Sequence, residues 1–223
     1  MYFGRLGEIV IELNDICYAY DDNPVLRHLN FQIHKGEAVA LYGANGSGKS
    51  TLLKILNGII FPEVGQYIFE GKSITAEVMN DHKYSKYFHQ RIGFVWQNPD
   101  VQLFCSSVEE ELAFGPEQMG LPESEIKKRV EDALNLLGIE KLRHRAPYYL
   151  SGGEKKKTAI ASILTMNPIV WTLDEPLSAL DESTKSWLLD FLLELKRAGK
   201  TLIFSSHDLK FIEQLADRQL TME

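Results

Sequence analysis

Three clusters of residues have the types and spacing to do chemistry. Gly43-Ala44-Asn45-Gly46-Ser47-Gly48-Lys49-Ser50, continued by Thr51, completes the pattern GxxxxGK[ST]. Glycines there let the backbone wrap closely enough for its N–H groups to converge on phosphate oxygens. A helix starting near Lys49 adds the partial positive charge of its N-terminus. Lys49 would contact the outer phosphates, and Ser50 would offer its hydroxyl to Mg²⁺. The second cluster is Asp174-Glu175, closing the run Ile169 to Leu173. At the end of a strand, Asp174 is placed to hold Mg²⁺ and Glu175 to polarise a water attacking a γ-phosphate. Alone, such a pair reads as a solvated turn; beside the glycine loop it reads as a site. The third cluster is Leu150-Ser151-Gly152-Gly153-Glu154-Lys155, where Ser151 and the glycine backbone open a helix and form a second anion site.

These clusters need a scaffold, and the patterning supplies one. Strands are expected at Ile9 to Leu13, Leu29 to Ile33, Ala38 to Tyr42, Gln66 to Phe69, Ile92 to Trp96, Ile169 to Leu173 and Thr201 to Phe204. Thr172 is a polar exception in an apolar run. Helices are expected from near Lys49, over Val108 to Phe114, Glu123 to Leu137, Ser151 to Met166 and Ser183 to Ala198, with Gly115-Pro116 and Leu121-Pro122 as punctuation. The fold class is α/β: a phosphate-loop NTPase core of parallel sheet and helices, an N-terminal antiparallel β layer, and an inserted α-helical subdomain. Residues 1–97 and 168–223 would form the core with its β layer, and residues 98–167 the helical insertion.

Composition bounds the alternatives. The 223 residues are 44% hydrophobic and 25% charged, ordinary for a globular chain. A net charge of −7 disfavours a dedicated nucleic-acid binder. No run approaches the roughly 20 apolar residues of a membrane span. The start carries Glu8 and Glu12 where a secretory signal would be apolar, which predicts a cytosolic chain. Cys17 and Cys105 read as buried structural thiols. His82, His89 and His144 lack metal-ligand spacing, so no structural metal is expected.

The third cluster decides between nucleotide enzymes. Leu150 to Glu154 resembles the LSGGQ signature of the ATP-binding-cassette (ABC) family, and it lies between the glycine loop and the Asp-Glu pair, as in that family. The resemblance implies further roles. Tyr20 would stack on adenine, and Gln97 would contact Mg²⁺ and the attacking water. Asp181, in Ser178-Ala179-Leu180-Asp181, would couple two sites across a dimer, and His207 would touch the γ-phosphate. It implies ATP and Mg²⁺ as ligands, with a second ABC ATPase subunit packed head to tail so that each ATP lies between one glycine loop and the other signature. A homodimer and a heterodimer both fit.

Gln97-Asn98-Pro99-Asp100, Gln102-Leu103-Phe104 and Glu109 to Pro116 are similar to the energy-coupling-factor (ECF) importers. That likeness implies a transmembrane coupling subunit, a membrane substrate-binding subunit and a peripheral place on the cytoplasmic face. Leu103, Phe104 and the helix from Val108 would meet the coupling subunit, with Leu112 and Phe114 in the helical core. Cargo would be cobalt, nickel or a vitamin; Gly153 to Lys156 resembles the metal-transport branch. Trp96 and Leu177 replace the usual Phe and Thr. The chain stops at Glu223, where many ECF ATPases continue into a helical extension, which predicts a shorter member or a truncated chain. The rival readings are a soluble ABC ATPase acting on ribosomes or DNA, and a phosphate-loop kinase. The kinase leaves the signature, Asp181 and His207 without a role.

Overall fold

The computed structural model describes residues 7–222. Strands β1 (Ile9–Tyr20) and β2 (Asn23–His34) form a long antiparallel hairpin, joined by β4 (Val64–Phe69) and β5 (Lys72–Ser73) in the order β2-β1-β4-β5. Both hairpin strands are 12 residues, longer than the alternation predicts. The register shifts between Leu13 and Ile16, where Asp15 adopts φ 58°, so Ile16 resumes the inward face out of phase. A bulge hides a continuing strand from a period-two reading.

The second sheet is parallel, with β6 (Ile92–Val95), β7 (Val170–Leu173), β8 (Thr201–Ser205), β3 (Ala38–Tyr42) and β9 (Arg218–Thr221) in the order β6-β7-β8-β3-β9. Its strands β7 and β8 are buried along their whole length and largely apolar, because both faces of the sheet are covered; Thr172, Thr201 and Ser205 are their polar positions. Alternation divides the sheet's side chains. Val39, Leu41, Val170 and Ile203 pack with α1 (Lys49–Leu56) and the antiparallel layer. Ala38, Ala40, Trp171, Leu173, Leu202 and Phe204 pack on the opposite side with α7 (Glu182–Arg197) and the helical segment. Full burial of a large apolar side chain contributes about 1.5–3 kcal/mol, so these two cores fix the sheet that carries both acidic and glycine-loop residues.

Thr172 is satisfied inside this core. Its hydroxyl donates to Gly93 O at 2.9 Å and accepts from Asn57 Nδ2 at 2.8 Å, tying the end of α1 to β6 and β7. Elements not expected include α2 (Ala76–Met79), α3 (His82–Arg91), α8 (Leu209–Leu215), the short strand β5 and edge strand β9. Only Phe88 of α3 is fully buried, and β9 exposes most of its short length, so neither carries a strong pattern. Trp96 and Ile169 fall just outside their strands.

Between the sheets' strands lie α4 (Val108–Gln118), α5 (Glu123–Leu137) and α6 (Gly152–Met166). Helix α4 corrects an expectation, for it runs through Gly115-Pro116 instead of stopping there. Proline at 116 cannot donate to Leu112 O, but Thr165 Oγ1 of α6 donates to that carbonyl at 2.8 Å. Gly115 lets the helices close up, since a Cβ there would lie 2.6 Å from Met166 Cγ. Cys17 and Cys105 are half-buried, not buried, and burial beside Glu111 pushes the Cys105 thiol up to about 11. Among the described residues no helix is long and apolar enough to cross a membrane.

Candidate functional site

The glycine loop leaves the end of β3 and enters α1 at Gly48. Gly48 has φ +91°, and a Cβ would lie 2.8 Å from Leu26 Cδ2, so β2 presses the loop into its curve. Lys49 is only 7% exposed, and its ammonium donates to Gly43 O and Ala44 O at 2.8 Å each. The ammonium is thus folded back inside its own loop. Ser50, at the second position of α1, is exposed, while Thr51 is buried beneath it. Ser47 Oγ is buried without a hydrogen-bond partner, a polar atom awaiting one.

Strand β7 delivers the carboxylates to the same end of the sheet. Asp174 is buried, its N–H donating to Val95 O at 3.0 Å. Ser205, at the end of β8, organises both acids: its hydroxyl donates to Asp174 Oδ1 at 2.7 Å and accepts from the Glu175 N–H at 2.7 Å. Glu175 is held at φ 40°, an unusual conformation for this residue. His207 Nε2 lies 2.9 Å from Glu175 Oε1. Oε1 is nonetheless without a hydrogen-bond partner, so it keeps its acceptor capacity. Burial raises the Glu175 carboxyl above the usual range, against the opposing pull of His207 and Lys49.

One cleft of about 670 Å³ gathers Asn45, Gly46, Gly48, Lys49, Ser50, Thr51, Gln97, Glu175 and His207, with Tyr20 on its wall. The volume suits a nucleotide. Tyr20 is exposed and stands edge-on to Tyr18, with ring centres 5.0 Å apart. Gly43 and Ser47 lie at the loop's base, and Asp174 lies behind Glu175. The cleft also takes in Ser178, the first residue of the Ser178 to Asp181 motif, and Lys185, Ser206 and Asp208, which the motifs did not single out. Ser205 was missed too; its only trace is a polar pair, Ser205-Ser206, ending an apolar strand. Ser50 and Gln97 line the cleft, and Asp174 is buried behind it with Oδ1 taken by Ser205. A hydroxyl, a carboxamide and a carboxylate are oxygen donors of the type Mg²⁺ takes, so these residues could hold it.

The signature residues do not join that cleft. Ser151, Gly152, Gly153, Glu154 and Asp181 line another, of about 750 Å³, with Arg145 and Thr184. Here the polar side chains bond to each other's backbones. Ser151 caps α6, accepting from Glu154 N at 3.3 Å, while the Glu154 carboxylate accepts from Ser151 N at 2.8 Å. These bonds hold the Glu154 carboxyl below the usual range. Asp181 caps α7, accepting from Thr184 N at 2.8 Å and Ser183 Oγ at 2.8 Å.

A third concavity, about 410 Å³ and mostly apolar, runs between α3, α4 and α6. Phe104 and Phe114 meet edge to face across 4.9 Å and expose much of their rings there. Phe114 is therefore groove, not core, whereas Leu112 is core and so is Val108. Leu103 is half-buried away from the groove's lining.

A family model described as "ABC transporter" matches residues 26–178. The energy-coupling factor transporter ATP-binding protein EcfA of Methanothermobacter thermautotrophicus is 46% identical over 214 residues, covering 94% of this chain and 66% of that protein. The nickel import ATP-binding protein LarO of Lactiplantibacillus plantarum is 44% identical over 209 residues, covering 94% and 87%. The solved structure of cbiO1 from Clostridium perfringens, part of the ABC transporter complex cbiONQ, superposes with a TM-score of 0.84 at 38% identity, covering 97% of this chain and 85% of that one. A glycine loop, a carboxylate pair and a signature helix thus sit on a fold shared along nearly the whole chain with transporter ATPases, and the protein belongs to the ABC transporter family as an ATP-binding ATPase domain.

Proposed function

We propose that this chain is the ATP-hydrolysing subunit of an ECF-type importer whose cargo is a transition-metal cation of the nickel or cobalt class. The observation that carries this reading is the separation of the two anion sites. One cleft holds the glycine loop, Glu175 and His207; another holds Ser151 to Glu154. Neither half is complete by itself, so a second ABC subunit packed head to tail supplies the missing half of each site. The relatives named as nickel import ATP-binding proteins favour the metal over a vitamin.

In this reading Asn45, the loop N–H groups and Lys49 bind the phosphates, and Tyr20 flanks the base. Ser50, Gln97 and Asp174 hold Mg²⁺, which when bound neutralises charge on the phosphates. Glu175 polarises the attacking water through Oε1, which has no hydrogen-bond partner, and His207, which lies beside that carboxylate, meets the γ-phosphate. The burial that raises Glu175 also makes it a better base. The Phe104–Phe114 groove receives a helix of the transmembrane coupling subunit. The chain then lies peripherally on the cytoplasmic face.

Affinity-tagged chain recovered from gently solubilised native membranes tests the assignment. A polytopic membrane subunit should accompany it, and cells lacking the chain should accumulate less radiolabelled nickel or cobalt. Recovery with ribosomal or DNA-repair proteins and no membrane protein overturns the importer reading. Loss of vitamin uptake with unchanged metal uptake overturns the cargo.

A further inference from the structure

Lys156 is a charged residue buried in the helical segment, only 1% exposed, on the second turn of α6. A buried ammonium is costly unless its donors are used. Its partners are two consecutive carbonyls, Trp96 O at 3.1 Å and Gln97 O at 2.9 Å. A second side chain makes a parallel connection. Gln102 accepts from Trp96 N at 3.2 Å through Oε1 and donates to Ala159 O of α6 at 2.8 Å through Nε2. The segment leaving β6 is therefore pinned to α6 from both sides of the Trp96 peptide groups. The Gln97 side chain, held by neither bond, is exposed and reaches the nucleotide cleft. The same helix carries Ser151 at its N-cap in the other cleft.

We propose that Lys156, seconded by Gln102, is a positioning residue for ATP hydrolysis: it makes the Gln97 backbone move with the signature helix, so the Gln97 carboxamide reaches its place beside the Mg²⁺ and the attacking water only when α6 is in place. This rests on the proposed role of Gln97. A strong tie at the backbone with a free side chain is what such a device needs, because the carboxamide must swing while its anchor follows α6. Lys156 lies outside the lining of the nucleotide cleft. Its hydrogen bonds go to the Trp96 and Gln97 carbonyls and act on turnover through Gln97, whereas its charge also acts on Asp174; a double-mutant cycle separates the two.

A double-mutant cycle tests the tie. Lys156→Met keeps the length and apolar stem and removes the donors; Gln97→Ala removes the carboxamide. Each single variant, the double variant and the parent are assayed as the complex isolated with its companions, for kcat and KM for ATP, with melting curves as the folding check. Lys156→Met should lower kcat by about tenfold with KM changed less than about threefold, as for an interaction made at the chemical step. In the Gln97→Ala background the same substitution should lower kcat by less than about twofold. Equal kcat losses in both backgrounds, or parental kcat in Lys156→Met, overturn the tie while leaving the role of Gln97 standing. Parental kcat in Gln97→Ala alone overturns the role of Gln97 and the tie together. If Lys156→Met does not fold, Gln102→Leu, a half-buried position, carries the same cycle with the same expected and overturning results.

Discussion

The two anion sites of this chain are built on opposite plans. In the glycine-loop cleft, Ser47 Oγ and Glu175 Oε1 are buried without hydrogen-bond partners, and Glu175 holds an unusual backbone conformation. In the signature cleft, Ser151, Glu154 and Asp181 are satisfied within their own helix caps. Buried polar atoms without partners cost stability, and a fold keeps them where a ligand will supply the partner. Capped helix ends cost nothing and present finished surfaces. In the proposed reading, the first site binds the nucleotide and carries the reacting groups, and the second offers a preformed face to a nucleotide held by another subunit.

Three substitutions sharpen or break that contrast. Glu175→Gln should give the largest effect. Turnover falls at least about a hundredfold while ATP binding persists, because only the acceptor that polarises water is weakened. Phosphate release near the parental rate would remove Glu175 from the chemistry. Next comes Lys49→Ala, which should weaken ATP binding at least about tenfold by calorimetry through loss of a charge-assisted contact. Unchanged affinity would show that the buried ammonium stays on Gly43 O and Ala44 O with nucleotide present. Smallest is Ser151→Ala, expected to lower stability by about 1 kcal/mol as a lost N-cap while leaving ATP affinity of the single chain unchanged. A large fall in that affinity would mean the two clefts are not separate within one chain.

Much of this was legible in residue order. The loop from Gly43 to Ser50, the Asp174-Glu175 pair after an apolar run and the Ser151 cap are local patterns, and the local structure follows them. Helix α4 was misread at Pro116 because the proline's compensating donor, Thr165, lies fifty residues away. Thr172 looked anomalous for the same reason: both of its partners, Asn57 and Gly93, come from other elements. The second half of β1 was hidden because a bulge at Asp15 reverses which residues face inward. Phe114 was expected in the helical core beside Leu112, but residue order cannot say whether a neighbouring helix covers that face, and α3 leaves it open as groove wall.

By itself, then, the sequence determined the chemistry available to this protein: a phosphate-binding loop, a pair of carboxylates at a strand end and a second helix N-terminus. Glycine, charge and capping preferences act over a few residues, and those residues are written side by side. Only the tertiary structure decided how the groups are shared out. It placed Ser205 between the two acids, set His207 against Glu175, put the signature and Asp181 in a different cleft from Lys49, and joined Gln97 to α6 through Lys156. Each of these depends on strand order and on helices packed across the sheet, where contacts between distant residues are set by burial of two cores and leave no local signature.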